Sequence, residues 1–181
     1  MMDIPISFKI YLQWKKLFNK KEDNYQIKIS KEGRGVRSIL FFLPEKIQDA
    51  KIVNYLVKVE NPLPGYNIGL VCSERSKMFY PHIDNVKLFT FNDKDLNYFD
   101  TIKSVLFMDT IKSKNYDAIV DLNTEFSAAT TMLAFELDAP LKIGFDSIVN
   151  RKIFTITLER RENTFLESYF SRILNLLGVK L

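Results

Sequence analysis

Short apolar runs bounded by turn residues recur through residues 37–181 and predict six β-strands. The runs cover residues 38–43, 67–72, 85–89, 117–122, 141–145 and 153–157. Apolar positions at helical spacing lie between and after them, over residues 47–59, 99–113, 127–137 and 164–177, with Gly178 as the C-cap of the last helix. Because strands and helices alternate, the pattern predicts an α/β fold whose mostly parallel sheet is covered by helices on both faces.

The N-terminal 36 residues follow a different pattern, which divides the chain into three parts. Residues 1–21 form a basic amphipathic segment, residues 22–36 a linker or edge strand, and residues 37–181 the α/β domain. A helix over the first part places Ile6, Ile10, Tyr11, Trp14, Leu17 and Phe18 on one side and Lys9, Gln13, Lys16 and Lys20 on the other.

Three interpretations of the N-terminal segment stay open. It folds back onto the chain's own sheet, it docks against a protein partner, or it makes peripheral contact with a membrane surface. Of the two external contacts we favour the protein partner. The residues expected to dock are Ile10, Trp14, Leu17, Phe18, Lys9 and Lys16.

Composition narrows the classes of protein to consider. The chain has 181 residues, enough for one compact domain, and 26 Lys and Arg against 22 Asp and Glu give a net charge of +4. Residues 1–21 alone hold five Lys and one Asp, so the rest is close to neutral and no nucleic-acid partner is expected. One Cys and one His exclude an internal disulfide framework and zinc sites built from several of those residues, and no metal is expected.

The location of the protein is predicted from two further features. No apolar run approaches the roughly 18 to 20 residues that a membrane span needs. The N-terminus lacks the basic start, apolar core and cleavage site of a secretory signal. We therefore expect a cytoplasmic protein, with the inner face of the membrane as the alternative.

Candidate chemistry follows the predicted strands, because ligands of open parallel sheets bind beyond the carboxyl ends of the strands. Asp49, at the start of the first helix of the α/β domain, is the candidate general base toward a sugar hydroxyl. The alternative for Asp49 is a first-turn residue that interacts with the helix dipole. The turn Leu43–Asp49 contains no Gly, so no phosphate cradle and no nucleotide cofactor are predicted. The candidate binding residues are Glu45, Gln48, Asn123, Glu125, Ser127 and Asp146.

Several sequence blocks occur in an order that is similar to a known family. They are ILFFL (39–43) followed by PEKIQD (44–49), YDAIVDL (116–122) followed by NTEFSAA (123–129), APLKIGFD (139–146), and a helix that ends at Leu177-Gly178. The chain thereby resembles the N-terminal half of the family-nine glycosyltransferases, the ADP-heptose:lipopolysaccharide heptosyltransferases.

The resemblance implies a Rossmann-like three-layer sandwich, similar to the N-terminal half of a GT-B glycosyltransferase. It places Asp49 where the family has its catalytic base for metal-independent, inverting transfer, and it implies a bacterial protein of lipopolysaccharide biosynthesis. The first turn departs from the family. Gln48 replaces a Gly, and Pro44-Glu45-Lys46 replaces small hydroxyl residues. Asn123 and Thr124 stand where the family has a Gly after Asp-Leu.

Family members carry a second Rossmann-like domain that binds the nucleotide-sugar donor, whereas 181 residues accommodate only one such domain. The preferred hypothesis is therefore a non-catalytic, half-length relative that acts as a binding or assembly module and docks to a partner. The alternative is the acceptor-binding half of an inverting glycosyltransferase whose donor domain another chain supplies. An unrelated flavodoxin-like binder is disfavoured, because no phosphate-binding loop is present.

Overall fold

A six-stranded, entirely parallel sheet forms the centre of the computed structural model, which describes residues 4–18, 36–56, 65–80, 86–160 and 165–177. The strands are Ser38–Phe42 (β1), Asn67–Ser73 (β2), Lys87–Phe91 (β3), Ala118–Asp121 (β4), Leu141–Phe145 (β5) and Ile156–Leu158 (β6). Their order across the sheet is β3-β2-β1-β4-β5-β6. The predicted α/β fold with a parallel sheet is thus confirmed.

In the described part of the chain five helices accompany the strands, and four of them cover the two faces of the sheet. The helices are Ile6–Phe18 (α1), Ile47–Leu56 (α2), Val105–Lys112 (α3), Ala128–Glu136 (α4) and Leu166–Leu177 (α5). Successive side chains of β1 point to opposite faces. Ile39 and Phe41 pack in the core under α2 and α5, whereas Leu40 and Phe42 pack in the core under α3 and α4. Both faces of the sheet are therefore dry, as parallel sheets require.

Helix α1 adds a further layer on the outside of α4. Residues 129–134 of α4 are all buried, because the sheet covers one side of that helix and α1 contributes cover on another. Phe8 is 1% exposed and meets Phe126 edge-on at a ring distance of 4.9 Å. Tyr11 stacks on Phe99 at 4.7 Å. The N-terminal segment thus folds back onto its own chain, although it packs on a helix and not on the sheet.

The predicted helix over residues 99–113 is wrong at its start. Helix α3 begins only at Val105, where the hydroxyl of Ser104 caps it by accepting from Phe107 N at 3.4 Å. Before that point the side chain of Asn97 accepts from Phe99 N at 2.8 Å, and Asp100 adopts a left-handed φ of 56°. These local bonds hold a turn that competes with helix formation.

Other boundaries shift by smaller amounts. The third strand is Lys87–Phe91, two residues later than predicted, because Lys87 pairs with Gly69. The sixth is Ile156–Leu158, since residues 150–152 form a 3₁₀ turn. The suggested edge strand within residues 22–36, the C-cap Gly178 and His82 lie outside the described residues. Among the residues that are described, no helix is long and apolar enough to cross a bilayer.

Candidate functional site

The carboxyl ends of β1 and β4 form the point where the strand order reverses. Chain connections leave these two neighbouring strands in opposite directions across the sheet, since β2 lies on one side of them and β5 on the other. The loops that follow β1 and β4 therefore separate and leave a crevice, which is the usual ligand position in sheets of this order.

Polar side chains connect the two loops across this crevice. The amide oxygen of Asn123 accepts from the backbone N–H of Glu45 at 3.1 Å. The hydroxyl of Ser127 donates to the carboxylate of Glu45 at 3.0 Å. The loop after β4 thus holds both the backbone N–H and the side-chain carboxylate of Glu45.

Two charged residues of the β1 loop are held by the same partner loop. Lys46 Nζ lies 2.5 Å from Glu125 Oε1, and this hydrogen bond raises the pKa of Lys46. Asp49, in the first turn of α2, is 6% exposed, and its carboxylate accepts a hydrogen bond from the hydroxyl of Thr124. Side chains consequently occupy the crevice that a glycine-rich turn would leave open to a pyrophosphate.

A buried carboxylate, that of Asp121, holds Asn123 in place through hydrogen bonds. Asp121, at the end of β4, accepts from Asn123 N at 3.0 Å, from Asn123 Nδ2 at 2.7 Å and from Thr130 Oγ1 at 3.0 Å. Burial raises the pKa of Asp121 to about 6, even though the three donors oppose that rise. Asp121 therefore sets the position of Asn123, which in turn holds Glu45.

A cleft of about 740 Å³ opens beside the connected loops. It is bounded by the loops after β1, β2, β3 and β4 and by the start of α1. Its polar lining includes Glu45, Lys46, Asp49, Arg75, Asp93, Asn97, Asp100, Asn123, Thr124, Glu125 and Ser127. Its aromatic lining consists of Phe8, Phe91, Tyr98, Phe99 and Phe126. This volume is in the range of small-molecule sites.

The structure brings most of the predicted site residues into this cleft. Asp49 lines it, as do Glu45, Asn123, Glu125 and Ser127. Gln48 is exposed and is not among the lining residues. Asp146 also lies outside the lining, where it forms a two-point ion pair with Arg151 at 2.7 and 2.5 Å that lowers the pKa of Asp146. Gln48 and Asp146 therefore do not line the candidate site.

The wall of the cleft that follows β3 is not predicted from the sequence. Asp93, Asn97, Tyr98, Phe99 and Asp100 all line the cleft. The hydrophobic pattern predicts the third strand two residues too early and a helix over residues 99–113, so it gives no sign of a loop at this edge of the sheet. The spacing of Asn92 and Asp95, which form a capping box, and the Asn97 turn were the signals that could have identified a structured loop here.

The predicted docking residues lie on two different sides of α1. Ile6, Ile10, Trp14 and Leu17 form an outward row in which each side chain is 55–76% exposed, and Lys9 is also exposed. Lys16 instead turns to the body, where it donates to the carbonyl of Lys152 at 3.2 Å. The side chain of Phe18 lies outside the described residues. A partner for this face stays a prediction.

The described part of the chain contains no group of three His, Cys, Asp or Glu residues placed to hold a metal ion. Cys72 is buried in the core, and burial raises the pKa of its thiol to about 12. The cleft therefore offers carboxylate, amide, hydroxyl and aromatic groups as its chemistry.

Comparison with known proteins relates this geometry to other folds. The model of a family of unknown function (DUF6913) matches residues 11–178. Curated proteins gave no match. The structure is similar to the E. coli heptosyltransferase WaaC solved with ADP, with a TM-score of 0.54 and 14% identity over 78% of this chain and 46% of that one. It is also similar to a family 9 glycosyl transferase from Veillonella parvula DSM 2008, with a TM-score of 0.58 and 17% identity over 86% of this chain and 44% of that one.

At such low identity the likeness shows the fold alone. The similarity to these glycosyltransferase structures confirms the Rossmann-like α/β architecture that the sequence predicts. The chain spans about half the length of these solved proteins.

Proposed function

The chain belongs to DUF6913, a family of unknown function, and we propose that it is a saccharide-binding module built on the fold of a glycosyltransferase N-terminal half. The observation that carries the proposal is the cleft of about 740 Å³ at the carboxyl ends of the strands. Its lining combines hydrogen-bonding side chains with aromatic rings. A sugar ring presents hydroxyl groups at its edge and C–H groups on its faces, so it matches both kinds of wall.

Saccharide binding can be tested on a glycan array with two single-residue variants. Tyr98 is 93% exposed at the cleft, so Tyr98→Ala removes an aromatic surface without disturbing the core. We expect binding to weaken about fivefold, because a well-placed aromatic contact is worth about 1 kcal/mol. Phe165→Ala, at a ring that is 80% exposed and lies outside the cleft, is the matched control and should bind as the wild type does. Absence of binding to every saccharide would refute the proposal.

A second candidate function is acceptor activation, with Asp49 as the general base. This assignment is supported by the position of Asp49 in the cleft and by its hydrogen bond from Thr124, which orients the carboxylate. An acceptor hydroxyl within hydrogen-bond reach of Asp49 would give its proton to that carboxylate as its oxygen attacks the anomeric carbon of a nucleotide-sugar donor, while the bond from that carbon to the diphosphate breaks and its electron pair leaves with the diphosphate. The donor would be held by a second domain, in keeping with the greater length of the similar solved proteins.

The catalytic candidate makes a sharp prediction for the complex with a donor domain. Asp49→Asn keeps the shape of the side chain and its bond to Thr124 but removes the base. We expect sugar transfer by the complex to fall by about 100-fold or more, while acceptor binding changes little. Unchanged transfer would leave the binding module as the remaining function.

The accessory part of the proposal concerns the outward row of α1. We propose that this row docks to the protein that carries the donor-binding domain. A photo-crosslinking residue at Leu17 should then give one discrete protein adduct in the producing cells, because Leu17 is among the most exposed side chains of the row. The same residue placed at the exposed Lys51, on α2, is the control and should give none. Adducts with lipid, or no adduct at Leu17, would contradict docking to a protein.

A further inference from the structure

We propose that the saccharide recognised by the cleft is cationic, an amino sugar with a free ammonium group. This inference rests on the proposed function, and it names the substrate class of the same site. It follows from the charge and the aromatic surface of the lining.

Acidic side chains outnumber basic ones in the lining. Glu45, Asp49, Asp93, Asp100 and Glu125 face two cations, Lys46 and Arg75. Both cations are already engaged, since Lys46 lies 2.5 Å from Glu125 and Arg75 lies 2.5 Å from Asp93. The lining therefore carries a surplus of three negative charges.

The surplus resides on Glu45, Asp49 and Asp100. Within the described chain these three carboxylates have no ion-pair partner, and Glu45 and Asp49 accept hydrogen bonds from the neutral hydroxyls of Ser127 and Thr124. Asp100 stands on a turn in the left-handed region, next to the exposed ring of Tyr98. A ligand cation would supply the compensating charge that the protein itself does not place there.

Aromatic rings stand in the same cleft as these carboxylates. Tyr98 and Phe99 meet edge-on at 5.5 Å, and Tyr98 leaves most of its surface to solvent. An ammonium group is attracted to the face of an aromatic ring as well as to a carboxylate. Rings and carboxylates together favour a cationic ligand, whereas a phosphate or uronate would be repelled by the charge surplus and would find both cations paired.

The test compares three tetrasaccharides that differ in charge. The probes are tetraglucosamine, tetra-N-acetylglucosamine and tetragalacturonate, titrated calorimetrically into the full chain at about pH 6, where the amino groups of tetraglucosamine carry protons. We expect the cationic probe to bind about tenfold more tightly than the neutral one and the anionic probe not to bind. The preference should shrink as salt is raised from about 0.01 to 0.15 M, because ions screen exposed charges.

One variant separates a specific site from general attraction. Asp100→Asn removes a charge at the cleft and keeps a residue type that tolerates a positive φ. It should reduce the preference for the cationic probe about threefold or more. Asp109→Asn, at an exposed carboxylate outside the lining, should leave the preference unchanged. Equal effects of the two variants would overturn the inference.

Two failures can be told apart. Binding of the neutral or anionic probe at least as tightly as the cationic one would overturn the charge inference, while saccharide binding itself would stand. If neither these probes nor any saccharide on the array binds, the proposed function fails, and the inference fails with it.

Discussion

Asp121 illustrates how a single buried carboxyl links the site to pH. Its pKa rises from 3.8 to about 6 because burial disfavours the charge more than three donors favour it. The folded state therefore holds this proton more tightly than the unfolded chain does. Asp121 lowers the free energy of unfolding above about pH 6, by about 3 kcal/mol, and the penalty disappears as the pH falls toward 4.

Replacement of Asp121 by Asn tests this account. The amide can still accept from Asn123 and can donate to the hydroxyl of Thr130, so the network persists without the buried charge. We expect the variant to be up to about 3 kcal/mol more stable than the wild type at pH 7, and the difference to vanish near pH 4. Urea unfolding across that range measures it. A difference that is constant with pH would show that Asp121 is not the titrating group.

Thr124 provides a second test at the residue scale. Thr124→Val keeps the side-chain shape and removes the hydroxyl that donates to the nearly buried carboxylate of Asp49. Since hydrogen bonds to charged groups contribute about 1.5–3 kcal/mol, we expect a loss of that order in urea unfolding. Thr131→Val is the matched control, because it makes the same change at a buried threonine that does not donate to Asp49. Equal costs in both variants would argue against the Asp49 contact.

At the scale of elements, α1 shows where the wheel projection misleads. The row of Ile6, Ile10, Trp14 and Leu17 is the more apolar side, yet it faces solvent. The buried side consists of Ile4, Phe8 and Leu12. The sequence of α4 contained the missing information, because AATTMLAFE is small or apolar nearly all round, and such a helix needs cover on more than one side.

Substitutions on the two sides of α1 should therefore differ. Phe8→Ala removes a buried ring from the contact with Phe126, and large-to-small core changes of this kind cost about 3–5 kcal/mol. We expect faster hydrogen exchange in residues 129–134 of α4, because α1 detaches more often. Ile10→Ala, on the outward row, should change stability by less than about 0.5 kcal/mol. Equal effects of the two changes would contradict the observed orientation.

The strands were predictable because buried parallel strands appear as continuous apolar runs. Ile39-Leu40-Phe41-Phe42 and Ala118-Ile119-Val120 carry that signal directly. Most helices were predictable because their apolar residues recur at helical spacing. The predicted helix starts too early because Ile102, three residues before Val105, fits the apolar pattern of α3, whereas hydrogen bonds of Asn97 and Ser104 decide where the helix begins. Such local bonds leave little trace in hydrophobic periodicity.

At the scale of the whole molecule, strand order explains how much of the site was predictable. Residues that follow β1 and β4 could be identified, because the carboxyl ends of parallel strands share one edge. The walls contributed by Phe8 and by Tyr98 depend on packing between distant parts of the chain. Gln48 and Asp146 were included by position along the chain, but the turn of a helix and an ion pair with Arg151 direct them elsewhere.

The closed crevice between β1 and β4 predicts that this chain does not bind ADP by itself. The turn after β1 has no glycine, and Glu45 and Asp49 add negative charge where a pyrophosphate would lie. ADP at about 100-fold above a micromolar Kd would raise the unfolding free energy by about 2.7 kcal/mol if it bound. We expect no thermal shift, with the E. coli heptosyltransferase that was solved with ADP as the positive control. A clear shift for this chain would contradict the closed crevice.

Phe8 has one further consequence, because it belongs both to the contact of α1 with Phe126 and to the wall of the cleft. Whatever covers the outward row and whatever fills the cleft therefore act on the same helix. Two ligands that each favour the docked helix are linked, and each raises the affinity of the other by the same factor. A ligand in the cleft would thus change the affinity with which a partner binds the outward row of α1.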